Sequence, residues 1–226
     1  MKVTTIGIDL AKNVFQLHGV NAQGKIVLKK QLRSEAMLMF FVNLPPCCIG
    51  MEACGGSHYW ARKLRSFGHD VKLMAPQFVK PYVKTNKNDE ADAEAICEAV
   101  MRPNMRFVPV KTEEQQSILA VHRAREGFVK ARTAQANALR GLLSEFGVVI
   151  PQGLSQIAVH LPEILEDASN GLPVTFRQLL KRLSGHLKEL DRQVTELEKE
   201  IQRWHRENAD SRRLSEIPGI GPIRRA

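Results

Sequence analysis

Nine apolar residues, Phe176, Leu180, Leu183, Leu187, Leu190, Val194, Leu197, Ile201 and Trp204, follow one another in steps of four and three. That is the a/d seam of a coiled coil. A helix that carries them runs for about 29 residues, which at about 1.5 Å per residue is about 43 Å. One small domain cannot bury such a helix, so the seam needs a second helix against it. Two partners are open: the long helical stretch that precedes it in sequence, or a second copy of the chain. Between those two stretches, residues 148–175 carry Pro151, Pro162, Gly171 and Pro173. These interrupt regular structure and mark a linker with at most one short helix.

A different periodicity governs the first hundred residues. The opening VTTIGIDLA is apolar and β-branched, and NVFQLHGV and KIVLKKQL follow it with turn signals at Asn21 and Gly24, the pattern of a three-stranded meander. Ser34 reads as the N-cap of a helix over EAMLMFFVNL, which Pro45 and Pro46 close before a short strand, CCIGME. A helix over residues 57–67, stopped by Gly68, leads into the strand VKLMA. Strands alternating with helices after a hairpin predict an α/β mixed sheet with covered faces. Residues 88–101 predict a helix with an acidic first turn, which suits the helix dipole, and a short strand lies near RFVPV. From Thr112 to about Gly147 the chain reads as one long helix carrying Arg123, Arg125, Lys130, Arg132 and Arg140. The expected organisation is an α/β domain over 1–150, a linker over 151–175, a coiled coil over 176–208 and the start of a further segment over 209–226.

The 226 residues are 43% hydrophobic and 25% charged, the composition of a soluble globular protein, and the formal net charge is +9. Such a field favours polyanions or an anionic membrane surface, with nucleic acid the first expectation. No long uninterrupted apolar run occurs, and the N-terminus lacks the apolar core and cleavage site of a signal peptide. A cytoplasmic protein without a membrane partner is therefore expected. Cys47, Cys48, Cys54 and Cys97 lack paired CxxC spacing, and adjacent cysteines are poor disulfide partners. All four are expected to be reduced, buried and structural. The cations of the long helix, with Lys80, Lys84 and Lys87, are candidate backbone contacts for a polyanion. A solvated helix face accounts for such charges equally well.

Four acids stand out by position. Asp9 follows one apolar strand, Glu52 ends another, and Asp89 and Asp92 lie three residues apart at the start of a helix. That spacing puts the last two on one helical face, roughly 5–6 Å apart at Cβ. Carboxylates gathered at a sheet edge repel one another without cations, and hard oxygen donors favour Mg2+ or Mn2+. Two such ions about 3.5–4 Å apart stabilise the attacking and leaving oxygens of a phosphodiester exchange. Each acid alone is also explained as an ordinary surface residue, and Asp89 and Asp92 by the helix N-terminus. Asp9, at the end of so apolar a run, calls for a partner.

Three motifs, Gly7-Ile8-Asp9-Leu10-Ala11-Lys12, Met51-Glu52-Ala53-Cys54-Gly55-Gly56 and Asn88-Asp89-Glu90-Ala91-Asp92-Ala93, resemble in order and spacing those of the DEDD insertion-sequence transposases. The resemblance covers about residues 1–150. It implies an RNase H-like fold similar to the RuvC Holliday-junction resolvase, with Asp9, Glu52, Asp89 and Asp92 as catalytic ligands of Mg2+ for DNA strand cleavage and exchange. It also implies a structured guide RNA as a partner. Farther on, Ile217-Pro218-Gly219-Ile220-Gly221-Pro222 resembles the opening of the family's C-terminal transposase domain and reads as a helix-hairpin-helix turn, whose glycines admit a phosphate to backbone amides. In that family a nucleophilic serine lies well beyond this turn, whereas the sequence stops at Ala226. A C-terminally truncated member, with no catalytic serine carried over, is therefore expected.

Two other readings compete. The opening Gly-Ile-Asp-Leu also begins ATPases of the actin and sugar-kinase type, but Ala11-Lys12-Asn13 replaces their Gly- and Thr-rich phosphate loop, and no later Asp-x-Gly motif follows. A noncatalytic, dimerising nucleic-acid-binding fragment is the other class. Homo-oligomers through the a/d seam are expected in either case. Tyr59 and Trp60 read as core packing rather than as base-stacking residues.

Overall fold

Strict alternation of side chains builds the first half of the molecule. In the computed structural model, which describes residues 2–11, 14–84 and 88–223, the chain divides into two compact units, 1–113 and 114–226. The first unit holds strands Thr5–Leu10 (β1), Val14–Val20 (β2), Ile26–Arg33 (β3), Cys48–Glu52 (β4), Asp70–Met74 (β5) and Phe107–Val108 (β6). They form one mixed sheet in the order β3-β2-β1-β4-β5-β6. The meander β1 to β3 is antiparallel, β1, β4 and β5 run parallel, and β6 closes the edge antiparallel. This is the expected RNase H-like sheet.

Helices cover both faces, as a parallel core requires. Ile6, Ile8, Ile49, Met51, Val71 and Leu73 point to one face, where they are buried with Met37 and Phe41 of helix Ser34–Val42 (α1) and with Trp60, Ala61 and Leu64 of helix Ser57–Ser66 (α2). A short helix, Pro76–Val79 (α3), and a single 3-10 turn, Lys80–Tyr82, lead toward helix Asp89–Val100 (α4). Gly7, Gly50 and Cys48 alternate to the other face, which α4 crosses. Two local expectations need correction. Ser34 is the first helical residue of α1 rather than its cap, because Arg33 takes the extended cap position with no side-chain hydrogen bond. Cys54 is exposed, unlike buried Cys47 and Cys97, because β4 ends at Glu52 and the turn that follows leaves the sheet.

The second unit is helical: Glu113–Ser144 (α5, beginning at the boundary), Leu154–Glu166 (α6), Val174–Glu207 (α7) and Ala209–Ser215 (α8). Gln135 Nε2 donates to the Leu183 carbonyl, Arg132 pairs with Asp191, Arg125 with Glu198, and Trp204 Nε1 donates to Glu114. Partner numbers rise as those on α5 fall, so α5 and α7 are antiparallel. Phe176, Leu180, Leu187, Leu190, Val194 and Ile201 of the seam are buried. Of these, Phe176, Leu180 and Leu187 share a cluster with Ala136, Leu139 and Leu143 of α5 and with Ile157 and Leu161 of α6. The seam is therefore covered by helices of the same chain. The stretch read as a linker holds the 13-residue α6, whose apolar face enters that cluster.

Candidate metal site and cationic surfaces

β1 and β4 pair Gly7 with Gly50 and, last, Ile8 with Met51, so Asp9 and Glu52 each follow that final pair at the carboxyl ends of two parallel strands. In open α/β sheets that is the end where ligands bind. Ile8 and Met51 enter the core beneath α1 and α2. Because successive side chains point to opposite faces, Asp9 and Glu52 stand on the α4 face, and both are half-buried. The thiol of Cys54 reports their common field. Although Cys54 is exposed as a residue, desolvation of its sulfur, then Glu52, then Asp9, hold the thiol above its ordinary range.

Glycine decides how near α4 comes to this pair. A Cβ at Gly7 would lie 2.2 Å from the Ala93 carbonyl oxygen and 2.4 Å from the Cys97 nitrogen, and one at Gly50 would lie 2.8 Å from Cβ of Val100. The helix thus rests on a floor of two register-paired glycines. Cys97 Sγ is 3.9 Å from the Thr5 carbonyl, and Ala93 lies over Gly7, so α4 runs antiparallel to β1. One helical turn advances about 5.4 Å and two strand residues about 6.6 Å. By that count Asp89, one turn before Ala93, stands at the level of Asp9, two residues beyond Gly7.

The first turn of α4 is held in place. Asn88 Oδ1 accepts from the Ala91 amide at 2.7 Å, an N-cap. Glu90 pairs with Lys29 of β3 at 2.6 Å. Asp89 is exposed and Asp92 half-buried. Sequence and register thus carry Asp9 and Glu52 to neighbouring strand ends and point the start of α4 at the same ends. Among the described residues, no three His, Cys, Asp or Glu side chains close around a single point as ligands of one ion. The donor chemistry nevertheless fits, since all four groups are carboxylates and offer the hard oxygens that Mg2+ and Mn2+ prefer.

The candidate cations separate into two groups. Arg125 and Arg132 are largely covered and engaged by Glu198 and Asp191, so they brace α5 against α7. Lys84 binds Glu98 at 2.7 Å and Glu94 at 3.4 Å, which holds its ammonium above the usual lysine range and ties it to α4. Arg140 donates to Asn137, and exposed Lys130 pairs with Glu126 one turn away. Arg123 and Lys80 are exposed, with no ion pair among the described residues. Lys87 lies outside the described residues. Trp60 is buried as expected, whereas Tyr59 is 47% exposed and so is not a core residue.

The family model of the IS110-type DEDD transposases, described as a transposase, matches residues 6–148. The chain belongs to this family. It is similar over nearly its whole length to three transposases. One named a probable family 20 transposase, from Pseudomonas aeruginosa, is 48% identical over 99% of this chain and 66% of its own length. The transposase for insertion sequence element IS1328 of Yersinia enterocolitica is 42% identical over 98% of this chain and 65% of its own. That for element IS1111A of Coxiella burnetii is 39% identical over 97% of this chain and 60% of its own. The chain thus spans roughly two thirds or less of the length of these relatives. Membership in the DEDD transposases displaces the ATPase reading. What sequence reasoning missed in this chain is the seating of α4 on Gly7 and Gly50. The available signal was a glycine two residues before each strand-end acid.

Proposed function

We propose that this chain is the metal-binding, strand-cleaving part of an insertion-sequence transposase that acts on DNA under the guidance of a structured RNA. The observation that carries the reading is the register that carries Asp9 and Glu52 to neighbouring strand ends on the sheet face over which α4 begins. Asp9, Glu52, Asp89 and Asp92 are the proposed ligands, and an ion held there requires a carboxylate of the first turn of α4 to approach the strand pair. Bound Mg2+ or Mn2+ supplies Lewis-acid stabilisation of the attacking and leaving oxygens of a phosphodiester. The chain's own part is to hold the carboxylates in register and to keep the first turn of α4 near them through Asn88 and the Lys29–Glu90 pair. Lys80, Arg123, Lys130 and Arg140 are the proposed contacts to nucleic-acid backbone; Lys84, Arg125 and Arg132 act through the ion pairs that shape those surfaces. The setting is the cytoplasm, in keeping with the absence, among the described residues, of any helix long and apolar enough to cross a membrane. Assembly of several copies would use surface other than the covered a/d seam.

Titration calorimetry with Mn2+ tests the site. The chain is expected to bind Mn2+, and Asp9→Asn and Glu52→Gln are each expected to weaken binding at least about tenfold, a loss of about 1.4 kcal/mol, with the circular dichroism spectrum unchanged. Equal affinity in wild type and both variants would remove these acids from the site. A noncatalytic nucleic-acid-binding module is the second reading, favoured by the open arrangement of the acids among the described residues. It requires nucleic-acid binding without Mn2+ binding.

A further inference from the structure

A second concave site lies at the other end of α4. The helix ends at Val100, and the turn that follows, 101–106, faces the α3 and 3-10 segment, 76–82, across a cavity of about 280 Å3. The floor is firm, because Tyr82 and Met105 pack on the buried cluster of Met74, Val79, Ile96 and Val100. The turn is closed by the Met105 amide, which donates to the Arg102 carbonyl at 3.2 Å. Inside this frame the side chains are aromatic, cationic and amide-bearing. The Arg102 guanidinium stands 5.3 Å from the centre of the Tyr82 ring while it also pairs with Glu98. Arg106 and Asn104 line the rim, and both are exposed. Arg106 has no ion pair among the described residues.

We propose that this cavity binds one unpaired nucleotide of a nucleic-acid strand, a role distinct from that of the carboxylate site and resting on the transposase reading above. The Arg102 guanidinium, backed by the Tyr82 ring over which it lies, offers a planar stacking surface to any base. Arg106 supplies the positive charge that a flanking phosphate needs, and the amide of Asn104 supplies a donor and an acceptor for a base edge. A volume near the lower end of the roughly 300–1,000 Å3 of small-molecule pockets suits a single flat group. Arg102 follows Asp89 by 13 positions on or just beyond α4, about 20 Å along a helix axis.

The experiment measures fluorescence anisotropy of the full chain with an oligodeoxythymidine, an oligouridine and a DNA duplex, for wild type, Tyr82→Leu and Arg106→Gln. Leucine keeps apolar packing and removes the aromatic face; Arg106 is a surface residue whose replacement leaves the core intact. Tyr82→Leu is expected to bind single strands about tenfold more weakly, within the range of one lost base stack, and Arg106→Gln several-fold more weakly with a shallower salt dependence, as one lost phosphate contact, with duplex affinity and Mn2+ binding unchanged. Loss on DNA alone, on RNA alone or on both supports the site and says which strand occupies it. Wild-type binding of single strands that neither variant weakens would overturn the pocket while leaving the transposase reading intact. Equal losses on single strands and duplex would also overturn it, as a general backbone contact. Absence of any nucleic-acid binding by the wild type would overturn the transposase reading and the pocket together.

Discussion

At Gly7 a single hydrogen in place of a methyl group sets the distance between the sheet and α4. An added Cβ would meet backbone atoms, the Ala93 oxygen and the Cys97 nitrogen and Cα, all within 2.8 Å, and backbone in mid-helix cannot step aside alone. Gly50 differs, because the nearest atoms there belong to the Val100 side chain. Gly7→Ala is therefore expected to destabilise the first unit by about 3 kcal/mol, the upper end of the overpacking range, and Gly50→Ala by less. Urea denaturation followed by fluorescence of Trp60, which is buried against Phe15 in this unit, measures both in a Trp204→Phe background. A smaller loss for Gly7→Ala than for Gly50→Ala would mean that α4 is not seated on that glycine. The acids at this scale were legible in the sequence because each ends an apolar run or opens a helix. The glycines were not, since a glycine inside a strand is equally a bulge, a bend or a close approach.

Among the elements, α7 shows how far a pattern carries. Its apolar phase was read correctly over nine positions, and the helix observed, Val174–Glu207, contains them all. What covers the stripe was not in the pattern, because a/d spacing describes one helix and is satisfied by any complementary partner. In the structure α5 and α6 fill that place, with Leu180 fully buried and Leu187 nearly so. Leu180→Ala is accordingly expected to cost about 2–5 kcal/mol, the range for emptied leucine sites, read as a lower melting temperature of the helical signal. Leu187→Asp combined with Leu190→Asp is expected to melt the second unit rather than release folded monomers. Sedimentation of that double variant as a well-folded, smaller species than wild type would show instead that the seam joins copies of the chain. The stretch 151–175 was judged by its prolines, yet Pro162 sits inside α6, and burial of Ile157 and Leu161 against α5 and α7 outweighs the local break.

For the molecule as a whole, the net charge of +9 is an electrostatic field before it is a set of contacts. Binding to nucleic acid is expected to weaken steeply with salt, because each neutralised phosphate releases condensed counterions. Arg123→Ala and Lys130→Ala are each expected to reduce the slope of log affinity against log salt by about one, as phosphate contacts do. Arg125→Ala is expected to act through stability, since its guanidinium is engaged by Glu198 on α7. A slope lowered as much by Arg125→Ala, with no change in melting temperature, would reverse that division. Anisotropy titrations across a salt series, paired with thermal melts, separate the two outcomes.

By itself the sequence determined the order and type of the elements, from the meander through the acidic helix to the long helices. Those follow from periods of two and of about 3.6 residues, capping residues and breakers, all of which act over a few neighbouring positions. It also marked four acids and a cationic helix, because residue type alone carries charge and donor chemistry. Tertiary structure decided which of these meet. Strand register carried Asp9 and Glu52 to neighbouring strand ends, the Gly7 floor set the height of α4, and antiparallel pairing with α7 gave Arg125 and Arg132 carboxylate partners in Glu198 and Asp191. The physical reason is common to all three. Each depends on contacts between residues far apart in the chain, whose free energy comes from shared burial and paired charge and is invisible to any local window.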